Sequence, residues 1–249
     1  MWVYCTGTDS PANDADKSPS TVIYDYENTR AGSSAEQYLN TFTGYLQVDG
    51  YEKTQATLVG YWAHARRKFI EAQQTQVKGK TGKADWAINH IQKLYLIEKT
   101  MKDKTADEKM LTRQSQSKPL LEQFRTWLDK SALHVPPKSA IGKAVTYSLW
   151  QWPKLTRYIE NGNLSIDNNR AERAVKPFFI GRKNWLFSNT AKGAEASAML
   201  YSLIETAKAN GLIPLDYLTA LLERLPNESE NIDNLLPWSV VLAENQVSG

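Results

Sequence analysis

Hydrophobic and polar positions alternate with two different periods along this chain. The opening MWVYC and the later TVIYDYENTR are short runs of β-branched and aromatic residues, separated by the turn-rich TGTDSPANDADKSPS, which predicts an antiparallel pair of strands. After Gly32, Ser33 or Ser34 can cap a short helix through AEQYLNTF, with Glu36 and Gln37 in its first turn. Gly44 then introduces a further strand, YLQVD, that ends at Asp49-Gly50. From Thr57 the period becomes helical: Leu58, Trp62, Ala65 and Phe69 share one face and leave Arg66, Arg67 and Lys68 on another.

Residues 84–160 read as helix almost throughout. Ile88, Ile91, Leu94 or Tyr95 and Met101 mark one helix, Leu120, Leu121, Phe124, Trp127 and Leu128 a second, and Ile141, Ala144, Val145 and Leu149 a third, with Pro136-Pro137 and Pro153 as punctuation. A further helix starts at Asp167, which can cap its first turn, and is expected to end near Lys176 because Pro177 biases its predecessor out of helix. Asn-Trp-Leu-Phe-Ser at 184–188 predicts a short strand, with Trp185 and Phe187 on its core side. Ala196, Met199, Leu200, Leu203, Ile204 and Ala207 form an apolar stripe expected to be core, closed by Gly211, and another short helix runs from Pro214 through Leu225.

Composition narrows the classes open to such a chain. With 249 residues, 41% hydrophobic and 23% charged, eight tryptophans and twelve tyrosines, it can bury a sizeable core and is neither disordered nor fibrous. The single cysteine, Cys5, excludes an internal disulfide, and with only His64, His90 and His134 beside it a structural zinc site is not expected. His90 and His134 read as structural or exposed. No apolar run is long enough to cross a bilayer and the first ten residues lack the pattern of a signal peptide, so the expected address is the cytoplasm.

Charge adds more than its total suggests. The net value is only +3, yet the stretch from Leu212 to Gly249 carries −5 and the remainder +8. The bases bunch at His64-Ala-Arg66-Arg67-Lys68 and at Arg170, Arg173, Lys176, Arg182 and Lys183. Two such clusters suit a polyanion partner, although a solvated helix face accounts for either one alone. The segment GKTGK mimics a phosphate-binding loop without its spacing: Val77 stands where the first glycine belongs, and Ala84 follows Lys83.

Two carboxylates stand beside unusual neighbours, Asp49 in YLQVDGY and Glu172 in IDNNRAERAVKPF. Hard divalent ions take carboxylate oxygens, and two such ions can bracket an in-line phosphoryl displacement, so a strand-end Asp and a helical Glu brought together would form a metal site. Spacing alone equally permits an Asp in a turn and a Glu paired with Arg173 or Lys176. His64, beside Arg66 and Arg67, is a candidate to contact phosphate or orient a water, or is a packed histidine. Asn168 and Asn169 are read as continuing the cap begun by Asp167.

In this order, YLQVDGY, GYWAHARRKF, IDNNRAERAVKPFFIGRKNWLF, MLYSLIETAKANGLIP and IDNLLPW resemble the central and carboxyl-terminal parts of an insertion-sequence DDE transposase of the IS66 family. The resemblance implies an α/β, ribonuclease H-like fold, a mixed sheet with flanking helices, laid out as follows: 1–72 and 163–210 as the two parts of the catalytic domain, 73–162 as an all-helical insertion, and 211–249 as a small C-terminal helical extension. It implies Asp49 and Glu172 as catalytic, metal-binding members of an Asp, Asp, Glu triad that holds two Mg2+ (or Mn2+) ions. His64, Arg66, Arg67, Lys68, Arg170, Arg173, Lys176, Arg182 and Lys183 then contact DNA. The implied partners are the element ends and target DNA, accessory proteins of the same element, and further copies of the chain, with no membrane and a bacterial, nucleoid-associated location.

The pattern also departs from the family. The family's first Asp lies in an Asp-Glu-Thr stretch upstream of the strand that MWVYC resembles, so Met1 is either an internal methionine of a longer reading frame or the start of a truncated copy. Asp9, Asp14, Asp16 and Asp25 do not substitute for it, and Tyr61 replaces the family's usual Cys. Two functional readings follow: a segment that cleaves DNA ends and transfers strands, or a catalytically inactive remnant that binds DNA or a full-length partner. A ribonuclease H-like host nuclease is a third, which cleaves without joining.

Overall fold

The structure, a computed structural model, describes residues 1–7, 19–29, 31–48, 55–76, 81–184 and 190–242. In chain order the elements are β1 (Trp2–Cys5), β2 (Val22–Asp25), α1 (Gly32–Tyr38), β3 (Tyr45–Gln47), β4 (Thr57–Val59), α2 (Trp62–Gln74), α3 (Lys83–Thr100) and α4 (Ala106–Thr112). A π-helical turn (Arg113–Ser117) leads into α5 (Lys118–Ala132), and α6 (Ala140–Thr156) runs into a 3-10 turn (Arg157–Ile159). Then come α7 (Asn169–Asn184), α8 (Ala191–Ala209), α9 (Pro214–Arg224) and a last 3-10 segment (Ser229–Leu235). The fold is mixed α/β and mostly helical, with two small two-stranded sheets among the described residues. No described helix is long and apolar enough to cross a membrane.

The chain divides into two compact units, one built from the described residues of 36–168 and the other from those of 1–35 and 169–249. In the first, β3 and β4 pair in parallel, Tyr45 opposite Thr57 and Gln47 opposite Val59. Leu58 therefore belongs to a strand and not to the helix expected from Thr57; α2 begins only at Trp62, after Gly60 and Tyr61. Thr57-Leu58-Val59 is β-prone, and a parallel partner twelve residues upstream outweighs a local helical spacing. From Trp62 onward the reading holds: Trp62, Ala65, Phe69 and Ala72 are buried along one face of α2.

That face meets the aromatic core of the first unit. Trp62 and Phe69 approach Phe124 edge-on, with ring centroids at 5.6 and 6.0 Å, and Trp86 stacks on Trp127 at 4.6 Å. Ile91, Leu94, Leu128, Val145, Leu155 and Tyr158 complete the buried cluster. Each large ring removed from water is worth several times a methyl group, so this cluster is the main stabilising element of the unit. α6 continues through Pro153 to Thr156, so this proline does not punctuate the helix, whereas Pro136-Pro137 do lie between α5 and α6. His90 is buried on α3 and His134 is exposed.

In the second unit β1 and β2 are antiparallel, Trp2 opposite Asp25 and Cys5 opposite Val22, as the sequence suggests. The other edge of β2 is covered by α8. Val22 N–H donates to Thr206 Oγ1 at 3.0 Å, the same hydroxyl donates to Val22 O at 2.9 Å, and Tyr24 N–H donates to Ser202 Oγ at 2.9 Å. Side-chain hydroxyls thus take the place of a neighbouring strand, which requires small residues on the facing side of the helix. Ala194, Ala198, Thr206 and Ala207 are the buried residues of α8, while Met199 and Leu200 are 58% and 47% exposed. The stripe expected to be core is therefore only partly so, because backbone proximity outranks side-chain size in choosing the buried face.

Val22, Tyr24, Ala174 and Ala198 form the small core of this unit, with Val3, Cys5, Phe178 and Tyr201 half-buried around it. The Tyr24 hydroxyl donates to Ala174 O and fixes α7 on the strand pair. α7 begins at Asn169 rather than Asp167 and passes through Pro177 to Asn184, so the proline does not end it. The expected strand at 184–188 begins on a helical residue, and 185–188 lie outside the described residues. Gly211, at φ +79°, closes α8 as expected: its N–H donates to Lys208 O, and Leu212 N–H reaches back to Ala207 O. Tyr217 of α9 is buried and donates to Leu235 O at 3.1 Å.

Candidate functional site

Gly60, Tyr61 and Trp62 supply no capping side chain to α2, so its first amides need acceptors from elsewhere. They come from residues 166–167: Trp62 N–H donates to Ile166 O at 3.1 Å, and Ala63 N–H donates to Asp167 Oδ1 at 2.9 Å. Asp167 thus caps α2 across the chain. Tyr95 of α3 donates its hydroxyl to the same carboxylate oxygen at 2.8 Å. Burial first, then the Asp167 charge and this hydrogen bond, push the Tyr95 phenol far above its ordinary pKa, with Arg66 of α2 opposing the shift.

Further bonds tie the strand pair to the same loop. Gln47 Nε2 donates to Ser165 O at 2.7 Å, Gly60 N–H to Lys154 O at 3.0 Å, Arg157 Nη1 to Leu58 O at 2.8 Å, and Trp62 Nε1 to Leu155 O at 2.9 Å. β3 thereby runs up to Val48 in a fixed frame. Val48 lines a small cavity of about 10 Å³ with Gly60, Tyr61, His64, Tyr147, Gln151 and Leu155, which has room for about one water. Asp49, the next residue, lies outside the described residues. His64 is therefore placed beside Val48, the last described residue of this stretch.

The basic residues of α2 differ in exposure. Arg67 is exposed, Arg66 is half-buried near Tyr95, and the Lys68 ammonium lies 4.8 Å from the centroid of the Tyr147 ring. In the second unit, Glu172, Arg173 and Lys176 are exposed on the first two turns of α7. Arg170 turns toward the end of the strand pair. A Cβ at Gly7, whose φ is +92°, would stand 3.1 Å from Arg170 Nη2 and 2.9 Å from Ser20 Oγ, so both glycine's conformation and its lack of a side chain are used there. Burial raises the Cys5 thiol pKa, and the Arg170 charge partly offsets this. Arg182 and Lys183 fall in the last turn of α7.

The sequence-predicted residues therefore form two groups, His64, Arg66, Arg67 and Lys68 on α2, and Arg170, Glu172, Arg173 and Lys176 on α7. Among the described residues no three His, Cys, Asp or Glu side chains converge as a metal site. Asp49 and Glu172 suit a hard divalent ion in donor type, being carboxylates. Sequence reasoning missed Asp167 and Tyr95 as the pair that fixes α2. The one local signal was the lack of a Ser, Thr, Asp or Asn at the N-cap of so well-patterned a helix.

Residues 1–196 match the family model described as Transposase IS66 family, and residues 202–238 match the IS66 C-terminal element. The chain belongs to the IS66 transposase family. It is similar to two uncharacterized proteins of Sinorhizobium fredii (strain NBRC 101917 / NGR234): y4jD, 32% identical over 89% of this chain, and y4qI, 32% identical over 96%. A third from the same strain, y4hP, is 29% identical over 88%. The chain spans about half the length of these relatives, 46%, 46% and 44%. No solved structure matches it.

Proposed function

We propose that this chain is the catalytic segment of a DNA transposase that cleaves the ends of an insertion sequence and joins them to target DNA, on a ribonuclease H-like fold. The observation that carries the reading is the family match over residues 1–196 and 202–238; the resemblance of YLQVDGY and IDNNRAERAVKPF to the family's motifs supports Asp49 and Glu172 as its acids. The layout proposed is 1–72 and 163–210 for the catalytic domain, with 73–162 inserted and 211–249 appended.

Asp49 and Glu172 would hold a divalent ion, Mg2+ or Mn2+, with two ions in the family's complete site. Such an ion supplies Lewis-acid stabilisation of charge on the phosphate oxygens. The chain's own side chains do the rest. The bases of α2 and α7, with Arg182 and Lys183, neutralise backbone phosphates, and their guanidinium and ammonium donors fix the register of the DNA. His64, framed by Val48 and Tyr61, orients the attacking oxygen. Hydrolysis frees a 3′ hydroxyl, which then attacks a target phosphate. Element ends, target DNA, accessory proteins of the element and further copies of the chain are the proposed partners, at the bacterial nucleoid.

The test is metal-dependent nicking of supercoiled plasmid, followed by strand transfer of a precut end, for the chain and for Glu172→Gln. Nicking that needs Mg2+ or Mn2+ and is lost in Glu172→Gln supports the reading. Equal nicking by both proteins rules out the role of Glu172. DNA binding without nicking assigns the chain as an inactive remnant, and nicking without joining points to a nuclease.

A further inference from the structure

One carboxylate oxygen, Asp167 Oδ1, takes two donors, the Tyr95 hydroxyl at 2.8 Å and the Ala63 amide at 2.9 Å. A shared acceptor couples its donors, since moving either one changes the geometry available to the other. The acceptor is itself anchored: Asp167 N–H donates to Ser165 Oγ at 3.2 Å, and Ser165 O accepts from Gln47 Nε2 at 2.7 Å. Gln47 ends β3, two residues before Asp49. Ala63 precedes His64, whose ring faces the cavity lined by Val48. Asp167 thus stands at the junction of three chemistry-bearing stretches: the end of β3, the first turn of α2, and the loop that leads in five residues to Glu172.

We propose that Asp167, held by Tyr95, is a positioning residue that sets the first turn of α2, and with it His64, against the end of β3. Tyr95 keeps its proton because burial and the neighbouring carboxylate disfavour the phenolate, so it remains a donor across the neutral range. The placement of His64 follows from geometry alone; only the effect on cleavage rests on the proposed function.

The experiment uses the full chain and three variants: Tyr95→Phe, Asp167→Asn and Asp167→Leu. The first readout is the ring resonances of His64 in nitrogen-edited NMR spectra, recorded well below the unfolding midpoint. Asp167→Asn keeps an acceptor oxygen and should leave the His64 signals near their original positions. Tyr95→Phe and Asp167→Leu should displace them. A purely structural role lowers the midpoint without moving a resonance in the still-folded protein, so His64 signals of folded Tyr95→Phe that superimpose on those of the parent overturn the proposal. Tyr95→Phe keeps the ring and decides the matter even where Asp167→Leu fails to fold.

The second readout is metal-dependent nicking of plasmid. A misplaced group at the reacting centre costs on the order of 10- to 100-fold in kcat, so Tyr95→Phe should fall by about that factor while KM for DNA stays within about twofold. Rescue by Asp167→Asn, relative to Asp167→Leu, supports positioning. A Tyr95→Phe enzyme that nicks at the parent rate overturns it. Nicking unchanged in Glu172→Gln instead overturns the proposed function, and the NMR comparison still decides the place of Asp167.

Discussion

The guanidinium of Arg113 lies against the carboxylate of Glu98, Nη2 to Oε2 at 2.7 Å and Nε to Oε1 at 2.9 Å, with 3% of the arginine side chain exposed. Its remaining nitrogen, Nη1, donates to Tyr158 O at 2.8 Å and Asn161 O at 3.0 Å. A planar fork reads a carboxylate on one side and two carbonyls on the other, a geometry that lysine cannot reproduce. The π-helical turn at Arg113–Ser117 brings the fork to this point and lets Gln114 Nε2 reach Ile159 O at 2.9 Å. Residues 158–161, just upstream of Asp167, are thereby fixed from beneath.

Truncating one partner of such a pair leaves the other charge buried. Arg113→Ala is expected to destabilise the first unit by about 3–5 kcal/mol, read as a drop in the urea midpoint. Arg113→Lys keeps the charge, loses the fork, and should fall between the parent and Arg113→Ala. A loss below about 1 kcal/mol in Arg113→Ala would show that residues 158–161 hold their place without it.

The edge of β2 gives a second prediction. Thr206→Val is nearly isosteric, yet it removes both the acceptor for Val22 N–H and the donor to Val22 O. A buried amide without an acceptor costs about 1–3 kcal/mol, so the denaturation midpoint of the second unit should fall by that amount, and Thr206→Ser should restore most of it. Faster hydrogen exchange confined to Val22 and its neighbours would locate the loss.

Which parts of this architecture were legible in the sequence follows from the range of the interactions involved. The buried face of α2 from Trp62 to Ala72 could be read because it repeats within one helix. The start of that helix could not, because Leu58 has helical spacing to Trp62 while its strand partner, Leu46, lies outside any local window. The buried face of α8 was misread for a related reason: large side chains mark a core only where two surfaces meet through side chains, whereas here a strand edge meets the helix through hydroxyls. Motif order is what makes Asp49, Glu172 and the basic clusters candidates. That Asp167 also caps α2 is not legible locally, because Ala63 is 104 residues away in the sequence.

His90 sets a pH dependence. Its ring stacks on Trp86 at 4.7 Å and lies 5.5 Å from Phe124, and its Nε2 is 2.8 Å from Leu120 O, so the neutral ring donates there from Nε2. Burial lowers its pKa below the ordinary value of 6.5; the Leu120 hydrogen bond opposes this, and the Lys93 charge adds to it. A histidine whose folded pKa is depressed stabilises the fold fully above its unfolded pKa. That contribution is lost as pH falls below about 6.5 toward the folded value. The melting temperature should therefore decline between pH 6.5 and 5 more steeply in the parent than in His90→Gln. Parallel profiles would mean that the ring takes up its proton without leaving the stack.

The proposed phosphate contacts make a prediction that depends on salt and not on sequence. Each phosphate neutralised on duplex DNA contributes roughly 0.9 to the slope of log affinity against log salt concentration. Arg67 on α2 and Arg173 and Lys176 on α7 are exposed, so each can reach a backbone without first giving up burial. Replacing any one by Ala should reduce the slope by about 1 and weaken binding alike on element-end and unrelated duplexes. Arg125 is the control, since it lies on α5, outside both basic clusters. Arg125→Ala should leave the slope unchanged. A slope that falls equally for all four substitutions would mean that DNA responds to net charge alone, because a surface that holds the backbone at defined points must distinguish α2 and α7 from α5.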